Sequence, residues 1–423
     1  MEYQKPRTLT LDGWTAPRAL SFVSGLGMIA ASALTIRHFF LANYPATIFT
    51  GSFCDISTFF NCDSSAFSAI SQVLGVPLGF FGLFLGALVA LGAVIPSESF
   101  ERTNKALALL NVAGVVGLLL YSVLVMGSLC LLCSGFYLFS ILSFVLFWIY
   151  GTGREERNIV ARWVRPSVRL LIVFAVIAAA GAYGFVQYHD AKKEAQAGMA
   201  ANIVKQFYEL PKVASPSFLS PYWSVKSTER FEDAPIQIVE YADFLCPDCL
   251  YLAQQLEKLK KEFAGKINVA FQFFPLEGIC NTVVPEKANL HPGACEMTFI
   301  AAGNLARFAE IHDEIWANFR SARNPEWRRA LAKKYGTEEA IADLKVRDLV
   351  ERIINTGAEY EKTSDKYSHG IRSTPTVIIN NRMVIGTLPY QHMKAIFQAL
   401  IDERESGAKK FIENWVPPTR RKK

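Results

Sequence analysis

Hydrophobic positions fall in long unbroken blocks in the first half of the chain and in short alternating or periodic runs in the second. Apolar runs near 19–43, 74–95, 105–126, 129–150 and 168–188 are each about 20 residues, the length a helix needs to cross a bilayer. Residues 107–150 carry no charged side chain. That stretch is about twice one crossing, so the chain must reverse within it. Gly127-Ser128 is the strongest breaker near its middle and predicts a turn there. The turn falls just before Cys130, which places the C-x-x-C of "GSLCLLCSGFYLF" (127–139) at a membrane surface and not at the midplane.

Beyond these blocks, a helical connector at about 190–208 leads into "PKVASPSFLSPYW", whose Pro and Ser content reads as a linker. "APIQIVEYADFLCPDCLYLAQQLEKLKKEF" predicts a strand, a short loop, a second C-x-x-C and an amphipathic helix, and "KINVAFQFFPL" a second strand. A helical insertion follows over about 295–367, with breaks near Asn324-Pro325 and Gly336-Thr337. "STPTVIINNRMVIG" predicts two strands joined by a tight turn at Asn380-Asn381. A last amphipathic helix covers about 389–404.

Composition agrees with this division. The chain has 423 residues, 51% of them hydrophobic, a length that fits two or three domains. The formal charge is +6, and no basic run is interleaved with aromatics, which excludes a nucleic-acid footprint. Arg154, Arg157, Arg162, Arg165 and Arg169 follow the fourth apolar run, Lys5, Arg7 and Arg18 precede or open the first, and residues 44–73 contain no Lys or Arg. Positive residues stay inside. The bias predicts a multi-pass protein of a bacterial-type inner membrane, with a cytoplasmic N-terminus and everything after about 190 on the extracytoplasmic side.

All eight cysteines then lie on or beyond the outer face, where disulfides form and persist. Cys246 falls at a helix N-terminus, whose dipole and unpaired amides stabilise a thiolate. Pro247 suits the first helical position, and Asp248 opposes the thiolate. A static disulfide or half a zinc site is the competing reading of Cys246 and Cys249. No second C-x-x-C or His pair lies nearby, so no metal is expected. Cys280 and Cys295 flank "NTVVPEKANLHPGA". A bond closing that loop would contribute about 3 kcal/mol in the chain-entropy model, and it is read as structural because no helix N-terminus activates either sulfur. Cys130 and Cys133 share one helix face at a positive helix end. They are either a reactive pair or two small hydrophobes in an interface.

Two resemblances sharpen this. "IVEYADFLCPDC" resembles the active-site strand and helix of DsbA-like, thioredoxin-fold proteins, which puts Glu240 at that family's buried-acid position. "STPTVIIN" is similar to the family's cis-proline loop and makes Pro375, after Thr374, the cis-proline facing the disulfide. "GSFCDISTFFNCDSSAFSAISQVLGVPLGFFG" resembles the outer loop of the vitamin K epoxide reductase family. Cys54 and Cys62 are eight apart, Asp55 follows the first, Ser68 stands six beyond the second, and Gly75 opens the next helix with Pro77. "CLLCSGFY" carries that family's C-x-x-C with Tyr137 four residues past it, and the resemblance covers about residues 15–150.

The resemblance implies that Cys130 and Cys133 face a quinone, Cys133 contacting it and Cys130 exchanging with the loop. Cys54 and Cys62 would be the shuttle pair, and Cys246 and Cys249 the pair that meets substrate proteins. Ser68 and Tyr137 stand where relatives line or support the quinone pocket, positions that equally suit a loop hydrogen bond or an interface anchor. The expected architecture is a membrane α-helical bundle with a four-helix core (1–151), then a cytoplasmic basic loop and fifth transmembrane helix (152–190). A connector and linker (191–230), an α/β thioredoxin-like domain with a helical insertion (231–410) and a basic tail (411–423) complete it. The expected activity is de novo disulfide formation. Electrons would pass from reduced exported or periplasmic proteins, directly or through separate DsbA-like proteins, to the membrane pool of ubiquinone or menaquinone. The competing activities are reduction of a quinone or of vitamin K epoxide, outward-directed thiol reduction or isomerisation, and peptide holding without catalysis.

Overall fold

A computed structural model describes residues 14–45, 48, 60, 62–68, 70–95, 97–152, 158, 165–284, 290–362 and 370–406. Cys54 lies outside them. The described residues form two compact units that divide between Lys193 and Glu194, with the described part of 44–58 grouped in the second.

In chain order the first unit contains α1 (Ala16–Asn43), α2 (Cys62–Ala66), a hairpin of β1 (Gln72–Val73) and β2 (Val76–Pro77), and α3 (Leu78–Val94). Then come α4 (Glu98–Leu120), continued by a π-helical turn Tyr121–Met126, α5 (Leu131–Tyr150) and the first part of α6 (Val168–Glu209). Among the described residues four helical spans are long and apolar enough to cross a membrane: Ala16–Asn43, Glu98–Met126, Leu131–Tyr150 and Val168–Lys192. The second expected crossing differs. Leu74 and Gly75 take φ 51° and 81° at the hairpin tip, so Gly75 belongs to a turn and Pro77 caps a helix that starts at Leu78. With 17 residues, α3 rises about 26 Å, short of the roughly 30 Å hydrocarbon core.

Small residues let α3 lie against α1. A Cβ on Gly25 would stand 2.5 Å from the Ala90 amide nitrogen, and one on Gly86 2.8 Å from Met28 Cβ. Close backbone approach of this kind is how helices pack where burial alone gives no drive. The predicted reversal is present: Gly127 adopts φ 63° and its N–H donates to the Ser122 carbonyl. At the opposite helix ends, Arg18 Nε donates to the Ala93 carbonyl (2.6 Å) and Lys105 Nζ to the Thr152 carbonyl (2.7 Å). The Thr152 N–H in turn donates to Glu101 at 2.9 Å. These buried charges are tolerable because each is hydrogen-bonded.

The expected fifth span and connector are one helix, α6, of 42 residues. Past His189 the sequence is rich in Ala, Lys, Glu and Gln and has no proline before Pro211, so nothing stops the helix where polarity begins.

The second unit is built on a five-stranded sheet of β3 (Trp223–Val225), β4 (Ile236–Ala242), β5 (Ile267–Phe273), β6 (Thr376–Ile379) and β7 (Arg382–Ile385), in the order β3-β5-β4-β6-β7. Strands β4 and β5 are parallel and the other pairings antiparallel. Helix α7 (Pro247–Glu262) crosses between β4 and β5, and α12 (Tyr390–Ser406) follows β7. Leu252, Leu256 and Leu259 of α7 and Ile396, Phe397 and Leu400 of α12 pack on Ile236, Ile238, Ile267 and Val269 of the sheet. The insertion supplies α8 (Ala294–Ala302), α9 (Phe308–Ala317), α10 (Pro325–Tyr335) and α11 (Leu344–Asn355). Asn324 caps α10 at one end and left-handed Gly336 at the other, the two predicted breaks. Asn380 and Asn381 take φ 43° and 64° in the β6–β7 turn, as a tight hairpin requires. The stretch expected as a linker is part of this core: the Val213 N–H donates to the Asn381 carbonyl, and Tyr222 is buried against Phe273 and Phe308.

Candidate active sites

In the second unit β4 leads into Cys246, the N-cap residue of α7, with Pro247 first in the helix. The Cys246 thiol faces the Thr374 carbonyl at 3.4 Å, and the Thr374–Pro375 bond is cis. Cys246 and Cys249 are both free thiols and both buried. Burial pushes the Cys246 thiol up, but the hydrogen bond from Cys249 and the charge of His291 outweigh it and leave the thiol below its ordinary value. Burial and the same hydrogen bond, viewed from the donor, push Cys249 well above its ordinary value. The asymmetry makes Cys246 the more readily ionised thiol of the pair.

The carboxylate that opposes this thiolate is Asp243, a role expected of Asp248. Asp243 is fully engaged: it accepts from the Leu245 and Leu276 N–H groups, both at 2.7 Å, and meets His291 Nδ1 at 2.6 Å. Glu240 lies on β4 at 1% exposure. Neither of its oxygens has a hydrogen-bond partner among the described residues, and burial pushes its carboxyl up to about 8.

Cys280 and Cys295 are bonded. Contrary to expectation Cys295 does sit in a first helical turn, that of α8. Glu277 accepts from the Gly293 and Cys295 N–H groups at 3.1 and 2.8 Å, so a carboxylate occupies the amides that would otherwise favour a thiolate.

In the first unit Cys130 is the N-cap of α5, and the Cys133 N–H donates to its sulfur at 3.3 Å. Cys62, opening α2, is disulfide-bonded. Its sulfur lies 3.4 Å from that of Cys130. A parallel bridge between Phe60 and Leu129 fixes the loop backbone beside the turn. Cys62, Cys130, Cys133, Ser68 and Tyr137 all line one cavity of about 310 Å³, walled by apolar side chains such as Phe81, Leu85, Leu118 and Phe136. Ser68 Oγ also donates to the Ser65 carbonyl at 2.9 Å, the loop hydrogen bond that its position equally allowed.

The structure thus brings Glu240, Cys246, Cys249 and Pro375 together in one unit and Cys62, Cys130, Cys133, Ser68 and Tyr137 in the other. Sequence reasoning missed Asp243 and His291, which no local motif marks, and His38, whose Nε2 meets Asp63 Oδ1 at 2.8 Å beside the cavity. Among the described residues no group of three or more His, Cys, Asp or Glu side chains is placed to hold a metal.

A free dithiol at a helix N-terminus opposite a cis-proline, and a second dithiol in contact with a disulfide, define a thiol–disulfide oxidoreductase. Its families follow from the sequence profiles: residues 18–148 match the vitamin K epoxide reductase family, and residues 231–399 match a thioredoxin family. The chain therefore joins a vitamin K epoxide reductase family domain to a thioredoxin domain and carries helices long and apolar enough to cross a membrane. Over 156 residues it is 25% identical to Na(+)/H(+) antiporter NhaA 1 of Mycolicibacterium gilvum, a match covering 36% of this chain and only 22% of that protein. Over 173 residues it is 24% identical to Probable disulfide bond formation protein D of Bacillus cereus, covering 38% of this chain and 73% of the relative. The solved structure of alpha-DsbA1 from Wolbachia pipientis aligns with 18% identity and TM-score 0.32, covering 41% of this chain and 89% of that one.

Proposed function

We propose that the enzyme makes disulfides in exported proteins and passes the electrons to a membrane quinone. The observation that carries this is the 3.4 Å contact between Cys130 and disulfide-bonded Cys62, in the wall of a cavity that Cys133 also lines. Disulfide exchange requires contact between a thiolate and a disulfide sulfur, and these two sulfurs are in contact. The cavity suits a quinone ring. Its volume is at the small end of ligand sites, its walls are apolar, and the Tyr137 hydroxyl on that wall can hold a carbonyl oxygen, as can that of Ser68 once it lets go of the Ser65 carbonyl. A quinone bound there would accept two electrons and two protons.

In this reading a reduced substrate protein is oxidised by the Cys246–Cys249 disulfide through attack on Cys246. The loop pair Cys54–Cys62 then takes the electrons and hands them to Cys130–Cys133 through Cys62 and Cys130. Cys133, deeper along α5, faces the quinone. The Arg-rich stretch 154–169 argues for a cytoplasmic loop and an extracytoplasmic thioredoxin domain. In this topology the exterior half faces exported proteins and, where they exist, separate DsbA-like proteins. The test is turnover by the full chain in detergent with a reduced peptide and a soluble quinone. Quinone loss should track peptide oxidation and vanish in Cys133→Ala. Turnover that survives this change, or peptide reduction in place of oxidation, would refute the reading.

A further inference from the structure

His38 is five residues from the end of α1 and only 8% exposed, and its Nε2 faces Asp63 Oδ1 at 2.8 Å. Asp63 is the residue after Cys62 in the first turn of α2, and Asn43 Nδ2 donates to the Ala66 carbonyl at 3.1 Å, tying α2 to the end of α1. The imidazole also meets the Cys62 backbone and lines the cavity that holds Cys62, Cys130 and Cys133. The other titratable groups on the described cavity wall are Tyr121 from the π-helical turn and Tyr137 from α5, while α3 contributes none. His38 is thus the one imidazole on that wall among the described residues, backed by a carboxylate and set against the backbone of Cys62, whose sulfur meets that of Cys130.

We infer that His38, held by Asp63, is the proton-transfer residue for disulfide exchange between Cys62 and Cys130; this rests on the relay reading above. When Cys130 attacks Cys62, the Cys62–Cys130 bond forms and the bond from Cys62 to its loop partner breaks. The electron pair of the broken bond leaves on the partner sulfur, which is protonated from solvent. The proton lost by the Cys130 thiol passes to His38. In the opposite direction His38 protonates Cys130 as it departs, which is the step that delivers electrons to the membrane pair. In each step one sulfur is oxidised as one is reduced, so no external oxidant or reductant is consumed. A paired imidazole suits this task because it exchanges protons near neutral pH, and general acid–base help of this kind typically contributes a hundredfold or more.

The experiment uses the full chain in detergent carrying Cys133→Ala, in which Cys130 attacks the loop disulfide and stops at a Cys62–Cys130 cross-link. Its formation is timed after a jump from acid and read by peptide mass spectrometry. Adding His38→Gln should slow cross-linking at least about tenfold near pH 7, with the difference closing at high pH, where a thiol ionises without a base. Asp63→Asn should slow it in the same pH range, and free imidazole should restore rate to His38→Ala. Unchanged rates and pH profiles in His38→Gln and Asp63→Asn would overturn the inference and leave the relay standing. If His38→Gln does not accumulate, the Asp63→Asn profile alone decides in the same way. Absence of the cross-link with His38 intact would overturn the relay and this inference together.

Discussion

Glu240 offers a quantitative test of how β4, the strand that leads to Cys246, is built. Burial without a hydrogen-bond partner among the described residues raises its carboxyl from 4.5 to about 8. Near pH 7 the folded protein therefore holds a proton on Glu240 that the unfolded chain has released. The folded state binds more protons than the unfolded one between these two values, so stability is lost as pH rises through that window. At about 1.4 kcal/mol per pH unit the loss accumulated by pH 7 is about 3 kcal/mol. Glu240→Gln keeps the shape and cannot ionise. Hydrogen exchange of the β4 amides (Ile236–Ala242) in the full chain, read by mass spectrometry and corrected for intrinsic rates, measures the opening free energy. The variant should exceed the native chain by about 3 kcal/mol at pH 7, and by less than about 1 kcal/mol near pH 5. Parallel pH dependence in the two proteins between pH 5 and 8 would refute the buried, unpaired carboxyl.

Three further outcomes follow from the same geometry. Cys249→Ala should trap a mixed disulfide between Cys246 and a substrate peptide, visible on a non-reducing gel, whereas Cys246→Ala should trap none. His291→Gln removes the charge that helps hold the Cys246 thiol down, so alkylation by iodoacetamide near pH 7 should slow several-fold, with the difference fading at high pH. Gly25→Leu places side-chain atoms where even a Cβ stands 2.5 Å from the Ala90 backbone. It should lower the yield of folded chain in detergent on size-exclusion chromatography, while Gly114→Leu, which meets nothing within 4 Å, should not.

What the sequence made legible was decided by local physics. Unbroken apolar runs announce helices because a bilayer demands length, and the uncharged 107–150 stretch had to turn at its one Gly-Ser break. C-x-x-C after a β-rich run placed Cys246 at a helix N-terminus for the same local reason. The cis bond before Pro375 was legible only through resemblance, since X–Pro spacing carries no sign of isomer. The β1–β2 hairpin was hidden because Val76, Pro77 and Leu78 are as apolar as the helix that follows. The continuity of α6 was hidden because a change from apolar to polar composition resembles a boundary, although nothing in the backbone chemistry breaks there. Asp243 and His291 are 48 residues apart, and His38 and Asp63 lie on different helices. Pairings of that kind exist only once the chain has folded. The helix start at Cys295 ran against expectation, and the Glu277 carboxylate that occupies its amides comes from 18 residues upstream, which leaves no local pattern.

The central claim is that electrons leave this protein through Cys133 into a quinone. A single-turnover titration addresses it directly: the fully reduced chain in detergent is mixed with soluble quinone, and quinone loss is followed by absorbance while thiols are counted by mass spectrometry. The account predicts that Cys130 and Cys133 lose their thiols together as quinone is consumed, and that Cys133→Ala consumes none. Quinone consumed with Cys130 and Cys133 still reduced, or no consumption by the native chain, would contradict it.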